Sequence, residues 1–141
     1  MFENVLLPID MNHVASWEKA LPMAVKMCGD GGTLHILGIV HDLGAAMVSS
    51  YLPSGFEREA LQKMKAQLEV FRDEKLAAGT SAKVHVGHGH VPEKVLAAAK
   101  DVSADLIVMA SHPPDDLRSI LVGSYAGKVV RHSPIPVLVV R

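Results

Sequence analysis

The chain has 141 residues, a formal net charge of −1 and a hydrophobic content of 49%. That length fits a single domain spanning residues 1–141, able to bury roughly two-thirds of the surface its unfolded chain exposes. The balanced charge argues against nucleic acid as a principal partner, since such domains usually carry a basic patch, and no run approaches the ~18 apolar residues of a membrane span.

The opening stretch, Met1 to Pro8, is a short apolar run with the acidic Glu3 and no basic flank, so it lacks the pattern of a secretory signal. Cys28 is the single cysteine and has no internal disulfide partner. Its apolar neighbours predict a buried thiol, and the chain reads as cytoplasmic. Val5 to Ile9, ending at Asp10, is continuously apolar, as strands buried on both faces of a parallel sheet are. Trp17, Leu21, Ala24 and Cys28 then recur at three- and four-residue steps, predicting a helix. Pro22 falls inside that pattern and marks either a kink or the first turn. Gly29, Gly31 and Gly32 end it.

Leu34 to Val40 is a second apolar run, interrupted by His35 and Gly38. Residues His41 to Gly55 have no steady period and read as a surface loop. Ser54-Gly55-Phe56-Glu57 has the form of a capping box with Ser54 as N-cap. The helix it opens carries Ala60, Met64, Leu68 and Phe71 on one face, and Gly79 is placed to end it. Lys83 to Gly89 is a third strand. Pro92 suits the first turn of the next helix, where a missing N–H costs nothing, and Val95, Leu96 and Ala99 are its buried face. Asp105 to Ala110 is a fourth strand, residues 111–122 a loop, Gly123-Ser124 the start of a last helix to about His132, and Val137 to Val140 a fifth strand.

This alternation predicts an α/β fold: a single doubly wound domain with a five-stranded, mainly parallel sheet and helices on both faces. In such folds ligands bind beyond the carboxyl ends of the strands, where the strand order reverses. Pro8-Ile9-Asp10, Ile39-Val40-His41, His88-Gly89-His90 and Met109 to His112 occupy those ends. Helix N-termini point the same way and favour anions.

Ala110-Ser111-His112-Pro113, followed after nine residues by Gly123-Ser124, resembles the phosphate loop of the universal stress protein family. The family pattern is Gly-x-x-Gly, nine residues, then Gly-Ser or Gly-Thr, and the spacing here is the same. Asp105 to Met109 before the loop and Val129 to Val140 after it resemble the family's flanks, as do Val5 to Asp10 and Gly89 with Pro92. The similarity runs over the whole chain and is weakest from His41 to Gly55. It implies a Rossmann-like fold of the adenine nucleotide alpha hydrolase-like kind, with ATP or AMP as ligand and Mg2+ as an optional companion. On this resemblance, Asp10 lies near the ribose, Ile39 packs on adenine, and the backbone of Met109, Ala110, Gly123 and Ser124 holds ribose and phosphates. Pro8, Ile9, His112, Pro113 and Tyr125 are expected in the same nucleotide site. It also implies a homodimer through strand 137–140, the same strand that reads as an apolar edge prone to pair with another chain.

Two positions depart from the family pattern. Ala110 replaces the first glycine and disfavours positive φ; Pro113 replaces the second and has no N–H for a phosphate. Asp115 and Asp116 add negative charge that opposes a triphosphate unless a metal ion or Arg118 compensates. A subgroup of the family resembles this chain in carrying Ala-Ser-His here. Ser124 can equally act as a helix cap, Asp10 as a cap for the helix after it, and His112 as a brace for the loop rather than a phosphate contact. His88 and His90 share a side if their strand stays extended, but no cysteine or carboxylate stands at a zinc-ligand spacing, so they read as solvated or hydrogen-bonded and no metal site is assigned.

The resulting reading is a nucleotide-binding regulatory protein of the stress response without fast turnover and without assigned catalytic residues. The alternatives are a slow ATPase or nucleotidyl-transfer enzyme, for which Asp10, His112 and Asp115 are the candidate groups, and an interaction protein with no ligand. The absence of Gly-x-x-x-x-Gly-Lys-Ser/Thr excludes a P-loop mechanism. A phospho-receiver domain is disfavoured because the first strand ends on Asp10 alone, the third on Gly87-His88-Gly89, and the last strand has no lysine.

Overall fold

The computed structural model describes residues 1–41, 55–111 and 117–141, with the backbone alone described for His41, Phe56 and residues 117–124. Its strands are β1 (Asn4–Ile9), β2 (Thr33–His41), β3 (Ala82–Gly89), β4 (Leu106–Ala110) and β5 (Val137–Val140). The helices are α1 (Ala20–Cys28), α2 (Phe56–Lys75), α3 (Val91–Asp101) and α4 (Leu117–His132), with a short 3-10 helix at Val14–Ser16 before α1.

The five strands form one sheet in the order β3-β2-β1-β4-β5. Every pairing is parallel. The central position of β1 explains its unbroken apolar sequence, since Val5, Leu6 and Leu7 are fully buried. Residues alternate between two core layers. Val5, Leu7, Leu34, Ile36 and Val108 pack with residues of α1 and α2, whereas Leu6, Leu37, Ile39, Ile107 and Met109 pack with residues of α3 and α4. The chain therefore winds outward from β1 through β2 to β3 with helices on one face, crosses to β4, and completes β5 with helices on the other.

Gly38 sets how closely α2 approaches the sheet. A Cβ on it would lie 2.8 Å from both Leu68 Cδ1 and Met64 Sδ. The interruption it makes in an apolar strand is the close approach itself.

Several boundaries differ from the sequence expectation. Pro22 lies in the first turn of α1, and Trp17 lies before that helix, where its ring meets Phe71 edge-on at 5.0 Å between centroids. The residue flanking α2 is Gly55, at φ 88, in place of the expected Ser54, which lies outside the described residues. α2 ends at Lys75, with Leu76 already extended. Gly79, at φ 91, belongs to the next turn, closed by the Thr80 N–H on the Ala77 carbonyl at 3.1 Å. Glycine suits that position because it adopts positive φ without the steric cost of a Cβ.

The largest correction concerns α4. It begins at Leu117, not at Gly123. Leu117, Ile120 and Leu121 already have helical spacing, and a glycine inside a helix costs only about 1 kcal/mol against alanine, so Gly123 does not interrupt it. Among the described residues no helix is long and apolar enough to cross a membrane.

Candidate functional site

The strand order reverses between β1 and β4, and a proline parts those two strands. The Asn4 carbonyl accepts the Asp105 N–H at 2.9 Å. Strand residues two apart face the same neighbour, so Leu6 and Pro8 face β4 as well. Pro8 has no N–H to carry the ladder on, and paired residues between β1 and β4 stop at Leu6 with Ile107. Pairing of β1 with β2 continues to Ile9 with Gly38. The opening thus lies on the β4 side alone.

The other lip is the end of β4. The N–H groups of Ile107 and Ser111 bond β5, at Pro136 O (3.0 Å) and Val140 O (2.7 Å). By alternation Val108 and Ala110 direct their backbone groups toward β1; the pairing of Leu6 with Ile107 takes up the Val108 N–H, and the Val108 carbonyl and Ala110 face the parted region. Met109 faces β5, and its side chain is buried in the α3/α4 layer with Ile39. Ile9 is buried in the opposite layer. These three expected ligand contacts are therefore core side chains, and of the expected residues on β4 it is Ala110 whose backbone faces the crevice.

Asp10 stands one residue beyond β1 and organises the loop that follows. Its Oδ1 accepts the Asn12 N–H at 3.0 Å and its Oδ2 is 2.9 Å from His13 Nδ1. Its own N–H donates to Ser16 Oγ at 2.9 Å, and that hydroxyl lies 2.7 Å from the Asp10 carbonyl. Asp10 does not cap a helix as the alternative reading held. The residues flanking the 3-10 helix and α1 on their N-terminal sides are His13 and Lys19. The 3-10 helix touches β4, so this loop bridges the two strands that Pro8 parts.

Gly123 and Ser124 lie well inside α4, so the Ser124 N–H belongs to the helix interior rather than to the free first turn that favours anions. Tyr125, half-buried on α4, meets the His90 ring edge-on at 6.1 Å between centroids. His112 and Pro113 lie outside the described residues. His88 and His90 do not act together: Gly89 adopts φ 128, His88 Nδ1 is 2.9 Å from Glu57 Oε1, and His90 turns to Tyr125.

The sequence reading missed His13 and Ser16, whose spacing after Asp10 was the available signal, and also the buried pair His35 and His85. Cys28 is buried as expected, and burial pushes its thiol above its ordinary range. It borders a recess of about 520 Å³ formed by residues 1–4 and 28–33, at the amino ends of the strands and away from the crevice.

The chain is similar to known proteins in sequence and in fold. The sequence pattern of the Universal stress protein family matches residues 1–141. Universal stress protein G of Escherichia coli O157:H7 is 28% identical over 145 aligned positions covering all of both chains. Universal stress protein UspA from Lactobacillus plantarum is similar in structure, with a TM-score of 0.72 and 23% identity, covering 99% of this chain and 97% of that one. A universal stress protein in complex with cAMP has a TM-score of 0.62 and 19% identity, covering 99% and 97%. The universal stress protein from Archaeoglobus fulgidus in complex with dAMP has a TM-score of 0.62 and 18% identity, covering 100% and 98%.

Proposed function

Because the chain belongs to the universal stress protein family, we propose that it is a cytoplasmic regulatory protein of the stress response that holds an adenine nucleotide between β1 and β4 without fast turnover. The observation that carries this reading is the parting of those strands above Leu6 by Pro8. It lies at the switch point where open α/β sheets bind ligands. The cAMP and dAMP complexes of structurally similar proteins support the ligand class.

The crevice suits a nucleoside. Each carboxylate oxygen of Asp10 accepts one bond within its loop and keeps a lone pair for a ribose hydroxyl. Val108 and Ala110 offer backbone groups opposite. Asp10 is the only carboxylate in residues 9–17 and 106–111. One carboxylate already accepting two bonds offers little to Mg2+, which demands near-octahedral oxygen coordination. The reading therefore favours AMP over ATP with magnesium.

The proposal includes a homodimer through β5. That strand is a sheet edge, and an edge presents unpaired backbone groups to another chain.

Calorimetric titration of the purified protein with AMP and ATP tests the nucleotide reading. Micromolar or weaker binding of AMP, not improved by the added phosphates of ATP, is expected. Failure of both to bind at millimolar concentration would overturn it.

A further inference from the structure

The loop after β1 carries an oriented imidazole. His13 Nδ1 is 2.9 Å from Asp10 Oδ2. A carboxylate only accepts, so the bond places the His13 proton on Nδ1 and leaves Nε2 as the outer nitrogen. The His13 side chain is 67% exposed. Among the described residues Asp10 is the only one bonded to the ring.

We propose that His13, oriented by Asp10, contacts the phosphate of a nucleoside monophosphate bound between β1 and β4, with Asp10 as its positioning residue. This rests on the nucleotide reading and names the group that meets the anion.

The first argument is position. Asp10 ends one lip of the crevice, and the 3-10 helix immediately after His13 touches β4. A ligand seated between the strands borders this loop. The second is charge. Residues 9–17 and 106–111 flank the crevice and contain no lysine or arginine, and His13 is their only side chain able to carry positive charge. A bare Asp10 carboxylate would repel a phosphate. With His13 between them, a ring that carries protons on both nitrogens donates from Nδ1 to the carboxylate and from Nε2 to the phosphate, so one ring joins two anions. The third is orientation. Ser16 pins the Asp10 backbone at its N–H and its carbonyl, and the Asn12 N–H holds the carboxylate; a held carboxylate orients the ring, as second-sphere carboxylates do for histidine ligands of metals.

The test compares adenosine with AMP by calorimetry on wild type, His13→Ala and Asp10→Asn, with thermal melts to confirm folding. His13→Ala is expected to weaken AMP about tenfold, the value of one charge-assisted hydrogen bond, and to leave adenosine unchanged. Imidazole nitrogen NMR supplies a readout independent of ligand: the Nδ1–H form is expected to dominate in wild type and to give way to Nε2–H in Asp10→Asn. Equal weakening of adenosine and AMP by His13→Ala, or no weakening of either, would overturn the phosphate contact. An unchanged tautomer in Asp10→Asn would overturn the positioning role. A wild type that binds neither ligand would sink the nucleotide reading and this inference with it.

Discussion

His35 Nδ1 lies 2.9 Å from His85 Nε2, and His35 Nε2 lies 3.0 Å from the Asn4 side-chain oxygen, so three strands of the sheet are joined by one polar chain. The Asn4 oxygen only accepts, so His35 donates from Nε2 and, when neutral, accepts at Nδ1. His85 must then donate from Nε2. The rings stack at 5.1 Å between centroids, and His35 is only 5% exposed.

This chain is expected to make the fold acid-sensitive. Burial first, then His85 and Lys83, hold His35 below its ordinary 6.5. Burial, Lys83 and Lys65 do the same for His85. Below that value the unfolded chain binds protons that the folded protein resists, so the contribution is complete above 6.5 and erodes as pH falls through the lowered values. Urea unfolding at about pH 8 and about pH 5.5 should show the loss. His85→Leu, which leaves His35 Nδ1 without a donor, should cost about 1–3 kcal/mol at the higher pH and flatten the dependence. An unaltered slope in that variant would place the sensitivity elsewhere.

Asp105 clasps the start of β1. Its Oδ2 and Oδ1 accept the N–H groups of Glu3 and Asn4 at 2.8 and 2.9 Å. Partial burial pushes its pKa up, but these bonds and the N-terminal amine outweigh it and hold the group below 3.8. The clasp is therefore complete above 3.8 and is lost as pH falls through the lower folded value. Asp105→Ala should cost about 1–2 kcal/mol, the low end for charged hydrogen bonds because the clasp is partly exposed. Asp105→Asn, which keeps one acceptor oxygen, should fall between. Denaturant midpoints indistinguishable from wild type would contradict the clasp.

At β5, the bonds from Ile107 and Ser111 reach the Pro136 and Val140 carbonyls. Alternation then turns the backbone groups of Val137 and Val139 outward from the sheet. Val139→Pro removes an outward N–H and leaves the β4 ladder intact, as edge strands permit. Light scattering should find a dimer for wild type and a monomer for the variant, with similar melting temperatures. A variant that stays dimeric would place the interface elsewhere.

Gly38→Ala should loosen α2 from the sheet. The added methyl meets Leu68 and Met64 at 2.8 Å, and overpacking of this kind costs about 1–3 kcal/mol. Gly38→Ala combined with Met64→Ala should recover part of the loss. A single variant as stable as wild type would mean that α2 shifts freely.

Much of the architecture was legible in sequence because burial leaves a periodic trace. Val5 to Leu7 is apolar without alternation because β1 is covered on both faces, and Val95 with Ala99 marks the buried side of α3. Helix ends were harder to read. The glycines at 79 and 123 suggested boundaries that the helices do not use, because a glycine serves a turn or a helix interior equally well and neighbouring residues decide which.

By itself the sequence determined the order of strands and helices, the two-sided core and the family, since each is written in local periodicity or in motifs whose spacing survives without coordinates. Only the tertiary structure decided what the polar exceptions do. His35 reads as an interruption of a strand until β3 brings His85 to it, and Pro8 reads as part of an apolar run until β4 lies alongside without a donor to receive. Asp10 and His13 are three positions apart, yet their bond depends on a loop closed by Ser16. Such contacts form between residues distant in sequence or across irregular backbone, where no repeating spacing records them.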